Sequence, residues 1–487
     1  MTSGFHFVAN LKPYTLHRGP GNRRFGSYLL SIDYARELGD LAREVIADGA
    51  VLCADNGNVD LIRSLIAEHD PEAKALDAER RALAATARRS LRPRDVPTVL
   101  RERHRAFARS VGEAAKAKLD PARIAAAVKA QIAMRPTYLV GMEDFTIATL
   151  TALDVEPEIA SMDRRFIEGL AKRAVDLAAL TQSGHFGATA AMVFAGVHAF
   201  DRDTARIVGG VAGAAGVGGI ATGLVGALQD KSFIDYLIED GAIVELGESV
   251  PRPYVRVAQV AAGLHEGFVA ASGRRPAFHA LGAGSPILLP LLAALGDGTT
   301  YTATDSTAPI VDGWSGPTIS LYVADPAPLK YKGYRIAEEW IANDRAWGCP
   351  CPYCHAFDRA APPQLDKARA WWRSHGKPKL TADSLRAPSP LAGWLPLFGT
   401  AADPGLRLTG AMARVGHNHW VLQQIETQAR KHARSHAQIV EWTDTIVRNY
   451  TSSSADPPWK RAVETAWRII RRAADATREA RPTQLPT

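Results

Sequence analysis

Short apolar or β-branched runs recur along most of this chain, each closed by a glycine or an acid and followed by a helical pattern. They are HFVANL (6–11), AVLCADN (50–56), TYLVGMED (137–144), AMVFAGVHAFD (191–201), GVGGIATG (216–223), AIVELGES (242–249), AFHALGAG (277–284) and YTATDS (301–306). Between them apolar residues take helical spacing, as in SIDYARELGDLAREVIADG, MDRRFIEGLAKRAVDLAAL and RPYVRVAQVAAGLHEGFVAAS. Strand and helix in strict alternation imply a parallel sheet. Eight such strands favour a TIM-type (β/α)8 barrel over an open doubly wound sheet, and the barrel is predicted over residues 1–340.

Catalytic groups of such barrels sit at the C-terminal ends of the strands. Here those ends carry Asp55, Asp144, Gly218 and Gly219, Gly282 to Gly284, and Asp305. One aspartate after a strand commonly does no more than cap the next helix. Three at one rim suggest an acid/base site for a flat, polar ligand.

With 487 residues, 46% hydrophobic and 22% charged, the chain is long enough for one large domain with appendages. The first residues, MTSGFHFVANLKPY, lack a basic start followed by an apolar core, so no signal peptide is expected. The 21 uncharged residues from Val208 to Leu228 are long enough to span a bilayer, but eight are glycine. Buried strand and glycine loops are the expectation there, and no membrane association.

The net charge of +7 is unevenly spread. From Arg80 to Lys118 twelve Lys/Arg face three acids, a surplus of nine, and from Arg414 to the end twelve face seven. Two basic blocks suggest a polyanion partner, or simply two solvated helical faces.

After GPTISLYVAD (316–325) the composition changes, and WGCPCPYCHAF brings Cys349, Cys351 and Cys354 together as C-x-C-x-x-C. Four cysteines, three of them clustered, are no disulfide framework, so a reducing cytoplasm is expected. Three thiolates at this spacing suit one tetrahedral zinc ion and require a fourth ligand. A zinc-binding subdomain is predicted over 341–420, and RVGHNHWVLQQIETQARKHARSHAQIVEW (414–442) reads as a basic amphipathic helix leading into a basic helical region over 421–487.

A C-x-C-x-x-C motif after the last strand of a barrel resembles the tRNA-guanine transglycosylase family. That family takes its fourth ligand from the histidine of an HN dipeptide, which here is His417-Asn418; His355, His375 and His419 are the rivals. The resemblance continues along the barrel. FVANLKPYTLHRGPG is similar to the family's ILGNTYHLxLRPG, and LCADNGNVD stands where the family has LTDSGGFQ, which implies that Asp55 is the general acid/base. GMEDFTIAT stands for FDECTPYP and implies that Asp144 binds the guanine edge. GGIATG resembles GGLAVG, whose backbone would hold the base carbonyl from Gly218 and Gly219 to Ala221, although LGES at 246–249 is a second candidate for this loop. HALGAG resembles YLMGVG, with Leu281 packing on the base beside Gly282. YTATDSTAPIVDG aligns with the nucleophile segment and implies that Asp305 attacks the sugar.

The resemblance therefore implies exchange of guanine for a 7-deazaguanine base of the preQ0 type in nucleic acid, through an aspartyl–glycosyl intermediate, with zinc structural. The family's PTRxxRxG run is replaced by TAPIVDGWSG, which has no arginine, and no recognisable RNA-binding module follows. These departures resemble the divergent branch that modifies DNA, so DNA is favoured over tRNA, with further proteins of a DNA-modification system as possible partners. A non-catalytic nucleic-acid-binding homologue and an unrelated barrel hydrolase are the other readings.

Overall fold

A computed structural model of the chain describes residues 4–11, 25–88, 91–92, 95–155, 163–296, 300–314, 320–324, 327–342, 349–354, 362–385, 389–395, 402–403, 408–453 and 456–482. Eight strands close a barrel: β1 (Phe5–Asn10), β2 (Ser27–Ser31), β3 (Val51–Asp55), β4 (Tyr138–Val140), β5 (Met192–Gly196), β6 (Gly219–Gly223), β7 (Ala277–Leu281) and β8 (Thr302–Asp305). Each pairs in parallel with its chain neighbours, and β8 pairs back onto β1. This is the TIM-type (β/α)8 barrel expected from the alternation.

Seven of the eight predicted strands are in it. The exception is AIVELGES. Residues Ala242–Pro251 instead form an antiparallel hairpin with Phe233–Glu239, inserted after β6. The alternation that made this run look like a strand is real, but Glu245, Glu248 and their neighbours are solvated rather than buried against helices. The missing barrel strand is SYLLS, whose last residue Ser31 accepts from Asp33 N and opens a short 3-10 turn.

Along every strand alternate side chains turn inward. Val8, Leu29, Cys53, Tyr138, Val140, Phe194, Ala221, Tyr301 and Ala303 fill the barrel interior, and the intervening residues meet the helices. The glycine-rich segment holds the expected buried strand, β6, but part of it is helix rather than glycine loop. Its first part ends the helix Arg202–Ala214, which crosses the helix Arg252–Ser272 at backbone contact. A Cβ at Gly209 would meet Leu264 O at 2.2 Å, and one at Gly267 would meet Arg206 O at 2.1 Å. Among the described residues no helix is long and apolar enough to cross a membrane.

The connection from β3 to β4 carries two extra helices, Val59–Ala87 and Thr98–Lys118, before the barrel helix Pro121–Ala133. They lie over the C-terminal rim: Leu61, Leu65 and Ala115 pack on Phe145, just past β4. This pair holds the first basic block, and six of its cations find acids from outside the block. Arg80 and Arg81 pair with Asp77, Arg103 with Glu79, Lys118 with Glu68, Arg109 with Asp163 and Arg92 with Glu245. Much of the surplus of nine counted along the sequence is thus matched in space.

The C-terminal region also departs from its predicted division. Residues 414–442 do not make one helix: Gly410–His432 and His436–Ser452 are separate, and the first runs through the boundary at 420/421. Arg414, counted in the second basic block, is fully buried and donates to Gly313 O at 2.6 Å and Trp314 O at 3.3 Å at a helix C-terminus. Helix Pro457–Thr477 packs on barrel helices Arg252–Ser272 and Leu288–Leu295, and Arg481–Pro482 pairs with Arg274–Arg275. The predicted tail is part of the barrel's outer shell.

Candidate active site and metal centre

Strand direction brings the ends of β3, β4, β5, β7 and β8 to one rim. Asp55 is the last residue of β3 and points inward by the alternation from Cys53. Burial, and then the charges of Glu143 and Asp305, push its carboxyl up to about 7, while the backbone N–H groups of Asn56 and Gly57 pull it down. The turn behind it needs glycine: Gly57 has φ +68°, and a Cβ there would meet Ile32 at 2.7 Å.

Asp305, the last residue of β8, is 8% exposed. Its Oδ1 accepts the backbone N–H of Gly282 at 3.1 Å and lies 3.2 Å from His279 Nε2. His279 Nδ1 in turn is 3.0 Å from Tyr138 Oη, which accepts from Tyr301 Oη at 3.0 Å. Both phenols stay protonated, because burial holds their pKa values well above the ordinary range. A buried polar line therefore runs through the barrel core and ends on Asp305.

The carboxylate that joins Asp55 on the β4 side is Glu143. It pairs with His198 at 3.0 Å, both side chains being buried. Burial alone would raise the carboxyl, but His198 and the amides of Asn58 and Asn56 outweigh it, so Glu143 lies below its usual range. Burial likewise depresses His198, and the Glu143 charge more than offsets this, leaving the imidazole above its ordinary value. Asn56 is itself fixed by donating to Gly141 O at 3.0 Å.

Asp144 is engaged elsewhere. One oxygen takes Arg173 at 2.7 Å, the other accepts from Thr146 N at 3.0 Å, and the side chain is 1% exposed. It fixes the start of the next helix and holds an ion pair, next to Glu143 in the chain. Gly218 and Gly219 are also away from the site, at the N-terminal end of β6. A Cβ at Gly219 would enter the Phe194 ring at 2.6 Å, so that glycine makes room for a core aromatic. The segment 246–249 lies in the hairpin. Ala221 is a barrel-interior residue of β6, while Leu281 and Gly282 do reach the rim.

Glu143, His198, His279 and Asn56 were not singled out from the sequence. The available signal was small residues at strand ends. A Cβ at Gly196, ending β5, would meet Glu143 at 2.8 Å, and one at Gly223, ending β6, would meet His198 at 3.1 Å.

The second centre lies beyond β8. Cys349, Cys351, Cys354 and His417 offer ligand atoms all within 4.8 Å of one another, a group able to hold a metal ion. His417 Nδ1 lies 3.5, 3.4 and 3.4 Å from the three sulfurs, and its Nε2 lies 2.8 Å from Tyr322 O, which fixes the ring. Next to it Asn418 accepts from Tyr322 N at 3.0 Å and donates to Ser320 O at 3.0 Å. The HN pair thus clamps the strand Ser320–Val323 to the cluster. His375 stacks on Trp371, and His419 bonds Val415 O while packing against Phe7 and Phe25. His355 lies outside the described residues.

No protein-family model, curated protein or solved structure matches the chain.

Proposed function

We propose that this protein is a nucleic-acid guanine transglycosylase, a pentosyltransferase that exchanges guanine for a 7-deazaguanine base of the preQ0 type, with DNA favoured over tRNA. The observation that carries the reading is the pairing of two carboxyls with opposed environments at one rim. Asp55 is held protonated near neutrality by burial and by its acidic neighbours, whereas Asp305 faces two nitrogen groups.

The chemistry then follows. The Asp305 carboxylate attacks C1′ from the face opposite the base, and the bond from C1′ to the ring nitrogen breaks as Asp55 gives its proton to the departing guanine. The result is a glycosyl ester on Asp305 and an ionised Asp55. The incoming base loses its ring N–H proton to Asp55, its nitrogen attacks C1′, and the ester bond breaks to restore the Asp305 carboxylate. Two displacements retain configuration, and no redox partner is needed. Glu143 and His198 line the same rim and supply an acceptor and a donor for the edge of the base.

We propose further that the ion of the Cys3His group is zinc and structural. Tetrahedral geometry with Zn–S of about 2.3 Å and Zn–N of about 2.05 Å puts sulfur and nitrogen about 3.6 Å apart, close to the 3.4–3.5 Å here. Four protein ligands leave no open position for chemistry.

The test is incubation of purified protein with labelled preQ0 and either duplex DNA or tRNA. Incorporation into one of them supports the reading. Release of guanine without an incoming base points to a hydrolase, and binding with neither reaction to an accessory homologue.

A further inference from the structure

A cleft of about 270 Å³ opens on the outer side of the β7 loop, lined by Tyr254, Ser285, Lys330, Lys332, Arg335 and Trp459, among others. Its position is fixed by the barrel. Ser285 lies three residues past Gly282, which bonds Asp305, and a Cβ on Gly284 would meet Ser306 at 2.0 Å. One face of this loop touches the Asp305 strand end and the other forms the cleft wall. Tyr254 stands in the first turn of helix Arg252–Ser272, which is also at the rim, and its hydroxyl lies 3.1 Å from Ser285 Oγ.

The cations arrive by strand geometry. Leu329–Lys332 is an extended strand, so Lys330 and Lys332 fall on one face, and Arg335 follows in the first turn of the helix Gly333–Ala342. From Ala327 to Arg335 the sequence holds three cations and no acid. Lys330 is held by Asp312 at 2.6 Å. Lys332 sits over the Tyr334 ring at 5.9 Å, and among the described residues neither it nor Arg335 has a carboxylate within ion-pair distance. Asp456 is the acid that lines the cleft. Trp459, edge-on to Tyr254 at 5.1 Å, gives one aromatic wall.

We propose that this cleft binds the backbone phosphate of the nucleotide next to the one whose base is exchanged. The proposal rests on the transglycosylase reading for its substrate, and on the cleft for its site. Two charges that have no carboxylate partner among the described residues, a hydroxyl and an aromatic wall suit a phosphodiester with its sugar or base alongside. The volume lies just under the ~300 Å³ at which small-ligand sites begin, enough for part of one nucleotide and far too small for a duplex. Six cations of the block over the rim are occupied by acids, whereas Lys332 and Arg335 at this cleft have, among the described residues, no acid within ion-pair distance.

The test is the salt dependence of binding of a labelled single-stranded oligodeoxynucleotide and of tRNA to the full-length protein. Lys332→Gln/Arg335→Gln should weaken binding of the substrate polymer about tenfold and flatten the slope of log affinity against log salt by about 0.7–0.9, one phosphate contact's worth. Lys431→Gln/Arg434→Gln, at the opposite end of the barrel where Arg430 bonds Phe5 O, should leave the slope unchanged. Inorganic phosphate at millimolar concentration should not displace the polymer. A wild-type slope in the Lys332/Arg335 variant overturns the cleft while leaving base exchange standing. Displacement by inorganic phosphate also overturns it, in favour of a small-anion site. A flattened slope in a protein that never incorporates preQ0 keeps the cleft and removes the transglycosylase reading.

Discussion

Gly282 donates its backbone N–H to Asp305 Oδ1 at 3.1 Å from a left-handed conformation, φ +79°. His279 Nε2 approaches the same oxygen, and among the described residues nothing is bonded to Oδ2. One oxygen is therefore anchored and the other is left to attack. Asp305→Asn keeps an Oδ1 acceptor for Gly282 but loses the charge and the ability to form an ester. Exchange and the covalent adduct should disappear, with fold and nucleic-acid binding nearly intact. The check is a retarded band on a denaturing gel, present for wild type and absent for Asp305→Asn; wild-type exchange by the variant would place the nucleophile elsewhere.

Asp55 gives a pH dependence with a defined sign. Its carboxyl ionises near 7 in the folded chain against 3.8 in the ordinary case, so the proton needed by the leaving base is lost as pH rises through about 7. Adduct formation should fall above that pH, and Asp55→Asn should remove this limb along with most of the rate. Stability runs the same way. The unfolded chain ionises first, so the folded state loses stability as pH rises from about 4 to about 7, by up to ~4 kcal/mol. At pH 8 Asp55→Asn should raise the melting temperature, and an unchanged value would mean that Asp55 is ionised freely.

The barrel was legible because burial on both faces of a parallel strand leaves an apolar run, and the helix after it keeps its own period. SYLLS escaped because it ends in serine rather than in glycine or an acid, and AIVELGES intruded because a solvated hairpin strand alternates as well. At the site, Asp55, Asp305 and Gly282 could be found from strand ends and the three cysteines from their spacing, while His417 is singled out from its rivals only by the family resemblance. Glu143 could not be told from its neighbour Asp144, since which of the two adjacent carboxyls pairs with His198 depends on Arg173 claiming Asp144 from the helix Arg164–Gln182. The local surplus of the basic block overstated its unmatched charge for a related reason: acids outside the block pair with six of its cations.

The metal group predicts an ordered set of losses. Cys351→Ser removes one of four ligands from a buried site and should release the ion. The packing of Trp340, Trp372 and Leu365 around the cluster should then loosen, while the barrel stays folded. His417→Ala should match it, because the ring supplies both a ligand and the contact to Tyr322 O. His419→Ala should lower stability through its contacts with Phe7 and Phe25 yet keep the metal. Metal analysis and near-ultraviolet circular dichroism measure both effects. The absence of stoichiometric zinc in wild type, or metal loss in His419→Ala alone, would reassign the centre.

The polar line in the barrel core makes the last prediction. Tyr301 donates to Tyr138, which leaves the Tyr138 proton for His279 Nδ1. The other ring nitrogen, Nε2, lies 3.2 Å from Asp305 Oδ1. The two phenols thus hold the imidazole in place from the side away from Asp305. His279 is on this reading a positioning residue, since it touches the carboxylate and not the substrate. Replacing it with Phe keeps an aromatic ring in the core but removes the nitrogen that approaches Asp305 at 3.2 Å. Adduct formation should slow by roughly 10- to 100-fold. His279→Gln, which retains an N–H, should recover part of the loss. Tyr138→Phe removes the hydroxyl that holds Nδ1, leaving Cys53 Sγ at 3.9 Å, and should slow adduct formation without touching the Asp305 side of the ring. A purely structural role would lower the melting temperature in all three variants and leave single-turnover adduct formation at the wild-type rate, and that result would remove His279 from the chemistry.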